Sequence, residues 1–152
     1  MIDAEVLVES FHWKKIIKKP KKLIPRILKK FPKKYRFINK KVHISVLLTN
    51  NKKIKYLNKK FRKKNKTTDI LSFPTFDKRN TKKNIKNKKF YLGDIAISHE
   101  EFVKKNKFDL QNGFIKIFIH GFLHLLNFDH KLDKDYKIMN LVEKEIFHKV
   151  KG

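Results

Sequence analysis

At 152 residues the chain is long enough for one domain with a core of its own, and with 40% hydrophobic residues and 14 Phe it has the material to build one. It contains no cysteine, which excludes disulfide staples, thiolate nucleophiles and cysteine-based zinc sites, so any transition metal must sit on His and carboxylate. Forty Lys and Arg against 14 Asp and Glu give a formal charge of +26, which attracts polyanions such as RNA, ribosomes or DNA. An AT-rich coding bias accounts for Lys over Arg, but it does not explain so few acids.

The opening stretch MIDAEVLVES alternates enough for a strand near residues 2–9, and it lacks the basic and then apolar run of a leader peptide. Residues 18–31, KKPKKLIPRILKKF, read as a basic approach to a helix beginning near Pro25, with Leu23, Ile27 and Leu28 buried. KVHISVLL (41–48) places Val42, Ile44 and Val46 on one face of a strand. Residues 49–62 then form a helix, capped by Thr or Asn, with Ile54, Leu57 and Phe61 on its buried stripe.

DILSFP (69–74) reads as a short strand ended by Pro74, and KFYLGDIAIS (89–98) as another. Between them, the lysine- and asparagine-rich residues 77–89 read as a solvated loop or hairpin tip. SHEE (98–101) has the form of a capping box and opens a helix ending near Lys107. A helix over 114–126 and a last one over 133–147, with acids in its first turn, complete the chain. The order predicts a single α+β domain over residues 1–152: a small mixed sheet of about four strands packed with helices, one of them central and buried.

That central helix carries HGFLHLLNFDH (120–130), which holds three of the seven histidines. Apolar residues cover most of its circumference and leave a narrow polar stripe of Lys116, His120 and His124, spaced four apart. Imidazoles at i and i+4 can converge on one cation. Asn127 is suited to the left-handed conformation that ends a helix, and a turn there brings His130 back toward the other two. Three neutral imidazoles leave an ion with an open position at which water is activated at neutral pH. Zinc suits the set, as do nickel, copper and iron. Gly121, costly inside a helix by about 1 kcal/mol, marks either tight packing or room for substrate. Residues 114–128 are too short to span a bilayer, which needs about 20 apolar residues, so the expectation is a soluble cytoplasmic protein without a membrane role.

HGFLHLLNFDH resembles the H-G-x-L-H-L-x-G-Y-D-H signature of the YbeY family of bacterial ribosomal-RNA maturation endoribonucleases. LNKKFRKKNKTTDILSFP (57–74) is similar to the family's L-N-x-x-[YF]-R…T-D-V-L-S-F-P block, YLGDIAIS (91–98) to its L-G-D-I-x-I-S strand, and Met139 with Glu143 to its last helix. The departures are Asn127 for Gly, Phe128 for Tyr and Thr67 where Pro is common.

The resemblance implies that His120, His124 and His130 bind one Zn²⁺ and that Arg62 and His120 are catalytic, with the guanidinium holding the scissile phosphate. Asp69, Asp94 and Asp129 lie in the matching blocks. Orienting a ligand histidine is one role for them, capping or turn formation the other. Ser72 and Phe73 are expected in the sheet beside the cleft, with core packing as the other role for Phe73.

The implied function is single-strand-specific, metal-dependent endoribonuclease activity in ribosomal RNA maturation, including processing of the small-subunit 3′ end, and in ribosome quality control. The implied partners are ribosomal RNA and the ribosome, with ribosomal proteins or assembly GTPases. Two other functions fit part of the pattern. A non-catalytic, basic RNA- or ribosome-binding assembly factor would use the metal structurally. A zinc peptidase of the metzincin type shares the histidine spacing, but has Glu as general base where this chain has Gly121.

Overall fold

A computed structural model describes residues 1–77 and 88–151, so most of the loop expected at 77–89 lies outside the described residues. In chain order the elements are β1 (Ile2–Val8), α1 (Trp13–Ile16) and α2 (Pro20–Lys29), a 3-10 turn (Lys33–Tyr35), then β2 (Lys41–Thr49) and α3 (Asn51–Arg62). They continue with β3 (Ile70–Pro74), β4 (Lys89–Ser98), α4 (His99–Lys105), α5 (Leu110–Leu125) and α6 (Asp133–Lys151). The result is the expected α+β architecture on a four-stranded sheet.

Strand order is β1-β2-β4-β3. The first three strands are mutually parallel, which requires a crossover between each pair, and β3 runs antiparallel to β4 at the edge. Alternation sends Val42, Ile44, Val46 and Leu48 of β2 and Ile95 and Ile97 of β4 to one face, all of them buried. Against this face packs α5, whose Phe114, Phe118 and Phe122 are wholly buried. Each such ring contributes roughly 1.5–3 kcal/mol by leaving water. On the other face α3 packs Ile54 and Leu57 over Leu71 and Ala96.

Four local expectations need correction. Helix α2 starts at Pro20, not near Pro25: Pro20 takes the first helical position after Lys19 in the left-handed region, and the buried Ile24 makes the first turn worth folding despite Pro25 inside the helix. Phe61 is not on the buried stripe of α3 but 58% exposed, because the last turn overhangs the edge strand; Asn58 is buried in its stead and donates from Nδ2 to the Lys66 carbonyl.

The capping box at 98–101 does not form. The Ser98 hydroxyl donates to Asn51 Oδ1, and Glu101 Oε1 accepts from Asn51 Nδ2 and Thr67 Oγ1, tying α4 to α3 and the following loop. Helix α5 begins at Leu110, ahead of Phe114, because Asp109 accepts the Asn112 backbone N–H at 3.1 Å and caps it. The short α1 is not announced by any pattern in the sequence. Its buried Trp13 donates from Nε1 to the Thr49 carbonyl at 2.9 Å and joins Phe102 and Phe114 in an aromatic cluster.

Candidate metal centre

Helix α5 lies so close to the sheet that a Cβ on Gly121 would sit 2.6 Å from Ile70 Cδ1 and 3.2 Å from Ser72 Oγ. Of the two readings of this glycine, tight packing is the one observed. The Ser72 hydroxyl donates to the Gly121 carbonyl at 3.0 Å and fastens β3 to the helix between His120 and His124.

The helix ends in a Schellman motif. Asn127 takes φ 67°, its N–H donates to the His124 carbonyl at 3.0 Å, and the Phe128 N–H donates to the Leu123 carbonyl at 3.0 Å. Asn therefore serves here as a glycine would. The Phe128 carbonyl is turned back over the last helical turn, where it accepts from His124 Nδ1 at 2.9 Å. Asp129 Oδ1 next accepts the backbone N–H groups of His130 and Lys131, at 2.7 and 3.2 Å, and this turn swings His130 inward.

The three imidazoles meet. Ring centroids are 4.6 Å apart for His120 and His124, 5.0 Å for His124 and His130, and 5.5 Å for His120 and His130. One ligand nitrogen from each lies within 4.8 Å of the others. From α6, Glu143 Oε1 accepts from His120 Nδ1 at 2.7 Å. Because a carboxylate and a carbonyl only accept, both helix histidines carry their proton on Nδ1 and turn the Nε2 lone pair to the centre.

Those two Nε2 atoms are 3.1 Å apart. Facing lone pairs at that distance need a cation between them, whether a proton or a metal ion, and the separation is about what two nitrogens at roughly 2.0–2.1 Å from one tetrahedral ion require. Burial, reinforced by the neighbouring His120 and His130, lowers the pKa of His124 to about 4, so this ring is neutral at pH 7 and ready to ligate. The donor set fits a borderline-soft divalent ion.

The centre lines a cleft of about 500 Å³ that also contains Arg62, Ser72 and a basic rim of Lys64, Lys66 and Lys131. Arg62 comes from the last turn of α3 and curls around the edge strand. Its Nη2 donates to the Ser72 carbonyl at 2.5 Å, and its guanidinium sits 5.4 Å from the centre of the Phe73 ring. Of the two roles open to Phe73, packing is the one observed, since it points to the opposite face and packs on Phe61, while Ser72 of the same strand lines the cleft.

The three aspartates sort differently from one another. Asp69 lines the cleft but pairs with Lys105 at 3.2 Å. Asp94 lies on the outer face of the sheet, where it accepts from the Tyr91 hydroxyl. Asp129 forms the turn before His130. Glu143, expected from the sequence only as part of the last helix, is hydrogen-bonded to the His120 ring. Its signal was weak, since nothing local separates it from Glu145.

Fold and site together define a protein whose central helix and the turn after it present a three-histidine metal cradle to a basic cleft. A family model described as Endoribonuclease YbeY matches residues 8–151, and the chain belongs to that family. Curated relatives named Endoribonuclease YbeY include one from Pelagibacter ubique, 50% identical over 98% of this chain and 95% of its own length. Another, from Ehrlichia canis, is 32% identical over 99% of this chain and 93% of its own. The solution structure of a Thermotoga maritima protein superposes with a TM-score of 0.57 at 25% identity, covering 97% of this chain and 89% of the other. Among the described residues no helix is long and apolar enough to cross a membrane.

Proposed function

We propose that this protein, acting as a single domain over residues 1–152, is a cytoplasmic, zinc-dependent endoribonuclease that cuts single-stranded RNA in ribosomal RNA maturation, including the small-subunit 3′ end, and in ribosome quality control. The observation that carries this reading is the placement of Arg62 in the same cleft as His120, His124 and His130. The names of the relatives support RNA as the substrate.

His120, His124 and His130 would hold a zinc ion, which would supply Lewis acidity toward a phosphoryl oxygen and lower the pKa of bound water. Glu143 and the Phe128 carbonyl hold the Nδ1 protons and so keep two rings aimed at the ion. Arg62 takes a non-bridging oxygen of the scissile phosphate and stabilises the charge that develops there, with the part of its fork not given to the Ser72 carbonyl. The lysines of the rim draw in the backbone. The ribosome, its proteins and assembly GTPases are the proposed partners.

The peptidase reading has no support at position 121, where a buried glycine stands against Ile70 and Ser72 and no side chain is present to take a proton. The test compares cleavage of a single-stranded RNA by wild type, His124→Ala and Arg62→Ala, with and without chelator. Wild type is expected to cut, to stop on chelation and to recover with zinc, and both variants to lose activity. RNA binding by all three without cleavage by any would favour the non-catalytic assembly factor.

A further inference from the structure

At the opposite end of α5 from the cleft, the turn after α4 leaves Phe108 wholly in solvent, at 102% relative exposure. The turn is closed by the Asp109 N–H donating to the Asn106 carbonyl at 3.2 Å, so this ring stands on ordered backbone. It edges a groove of about 420 Å³ that also contains Lys107, Lys116, Lys151 and Phe147. The Lys116 and Lys151 ammonium groups lie 4.9 and 5.8 Å from the centre of the Phe147 ring. The acid in the groove, Asp109, is committed to Asn112, accepting from its backbone and side-chain nitrogens at 3.1 and 2.8 Å.

An aromatic ring offered to water among ammonium groups matches a ligand that carries negative charge and flat apolar faces together. Single-stranded nucleic acid has both, whereas a duplex hides its base faces in the stack. The position also matters. Lys116 belongs to the polar stripe of His120 and His124, one helical turn, or about 6 Å, before His120. Beside this stripe α6 packs Phe147 on Lys116 and Glu143 on His120, so a strand that engages both the groove and the histidines crosses α6.

We propose that this groove is a second subsite for single-stranded RNA, in which Phe108 stacks on a base and Lys107, Lys116 and Lys151 take phosphates, while a distant bond of the same strand occupies the histidine centre. The subsite rests on the reading of RNA as substrate, and it predicts dependence on substrate length. Phe108 holds no fold contact that its removal would break, so its variants test recognition and not stability.

The experiment measures binding of labelled single-stranded oligonucleotides of about four and about sixteen nucleotides, and cleavage of both, by wild type, Phe108→Ala and Phe108→Trp. Phe108→Ala is expected to weaken binding of the longer RNA at least about fivefold and to raise its KM with kcat unchanged, leaving the shorter RNA unaffected. Phe108→Trp should retain wild-type affinity, and Lys107→Ala with Lys116→Ala should flatten the salt dependence by about two ions.

Unchanged binding of the longer RNA by Phe108→Ala, or equal losses for both lengths, would overturn the subsite. So would a Phe108-dependent loss confined to anionic phospholipid vesicles, since that would make the groove a membrane contact. A wild type that binds the longer RNA through Phe108 yet cuts nothing would uphold the groove and overturn the nuclease reading instead.

Discussion

Glu143 and His120 are 23 residues apart in sequence, yet Glu143 Oε1 lies 2.7 Å from His120 Nδ1, so the last helix holds the first ring of the histidine cluster. Carboxylates placed in this way fix the ring and raise its basicity as a ligand. Glu143→Gln is expected to weaken zinc affinity by about 10- to 100-fold. Competition with a chromophoric chelator measures this directly, and wild-type affinity in the variant would remove Glu143 from the centre.

Removing a ligand should act more severely. His130→Ala leaves two ring nitrogens 3.1 Å apart with no third to close the set. Purified without chelator, the variant is expected to contain well under one equivalent of metal by elemental analysis while the wild type holds about one. Equal metal contents would show that the ion sits elsewhere.

On the proposed reading Arg62 acts through its fork as well as its charge. Arg62→Lys keeps the cation but cannot both bond the Ser72 carbonyl and grip phosphate in the same plane. A fall in kcat of about 10²-fold with unchanged metal content is the expected outcome. Full activity in the lysine variant would mean that a point charge suffices.

Gly93 has φ 148°, and a Cβ there would lie 2.4 Å from the Phe73 carbonyl oxygen and 2.8 Å from Leu125 Cδ2. It follows the shift in register between β2 and β4, where the chain must approach β3 closely. Gly93→Ala is expected to destabilise by more than about 2 kcal/mol, combining backbone strain with the clash. Denaturant titration of the metal-free protein reads this, and a midpoint equal to the wild type would refute it.

Two histidines make the metal-free protein sensitive to mild acid. Burial lowers the pKa of His99, which stacks on His12, and burial lowers that of His124 to about 4. With the folded pKa below the ordinary 6.5, the unfolded chain takes up protons first as pH falls. Stability should hold above about pH 6.5 and decline below it, with the His124 share extending down to about pH 4. His99→Gln should make the decline shallower in unfolding experiments across this range. An identical slope would mean that His99 titrates alike in both states.

The three-histidine cluster was legible because its geometry is almost entirely local: helical spacing pairs His120 with His124, and Asn127 announces the bend before His130. The β2 and β4 strands were legible from alternation. What was missed depends on partners distant in sequence. Ser98 meets every local requirement of a cap, but Asn51 offers its hydroxyl a competing acceptor. Phe61 has the right periodicity, but the sheet ends beneath it. Glu143 acquires its role only when α6 folds back along α5, and a four-residue helix such as α1 is too short for any period to register.

Ser72 offers its two oxygens in opposite senses, the carbonyl to Arg62 and the hydroxyl to the backbone of Gly121. The guanidinium and the imidazoles are thus referenced to one peptide unit of the edge strand. A shift of this strand would therefore carry the guanidinium and the helix backbone together. A single serine thus couples the two sides of the cleft.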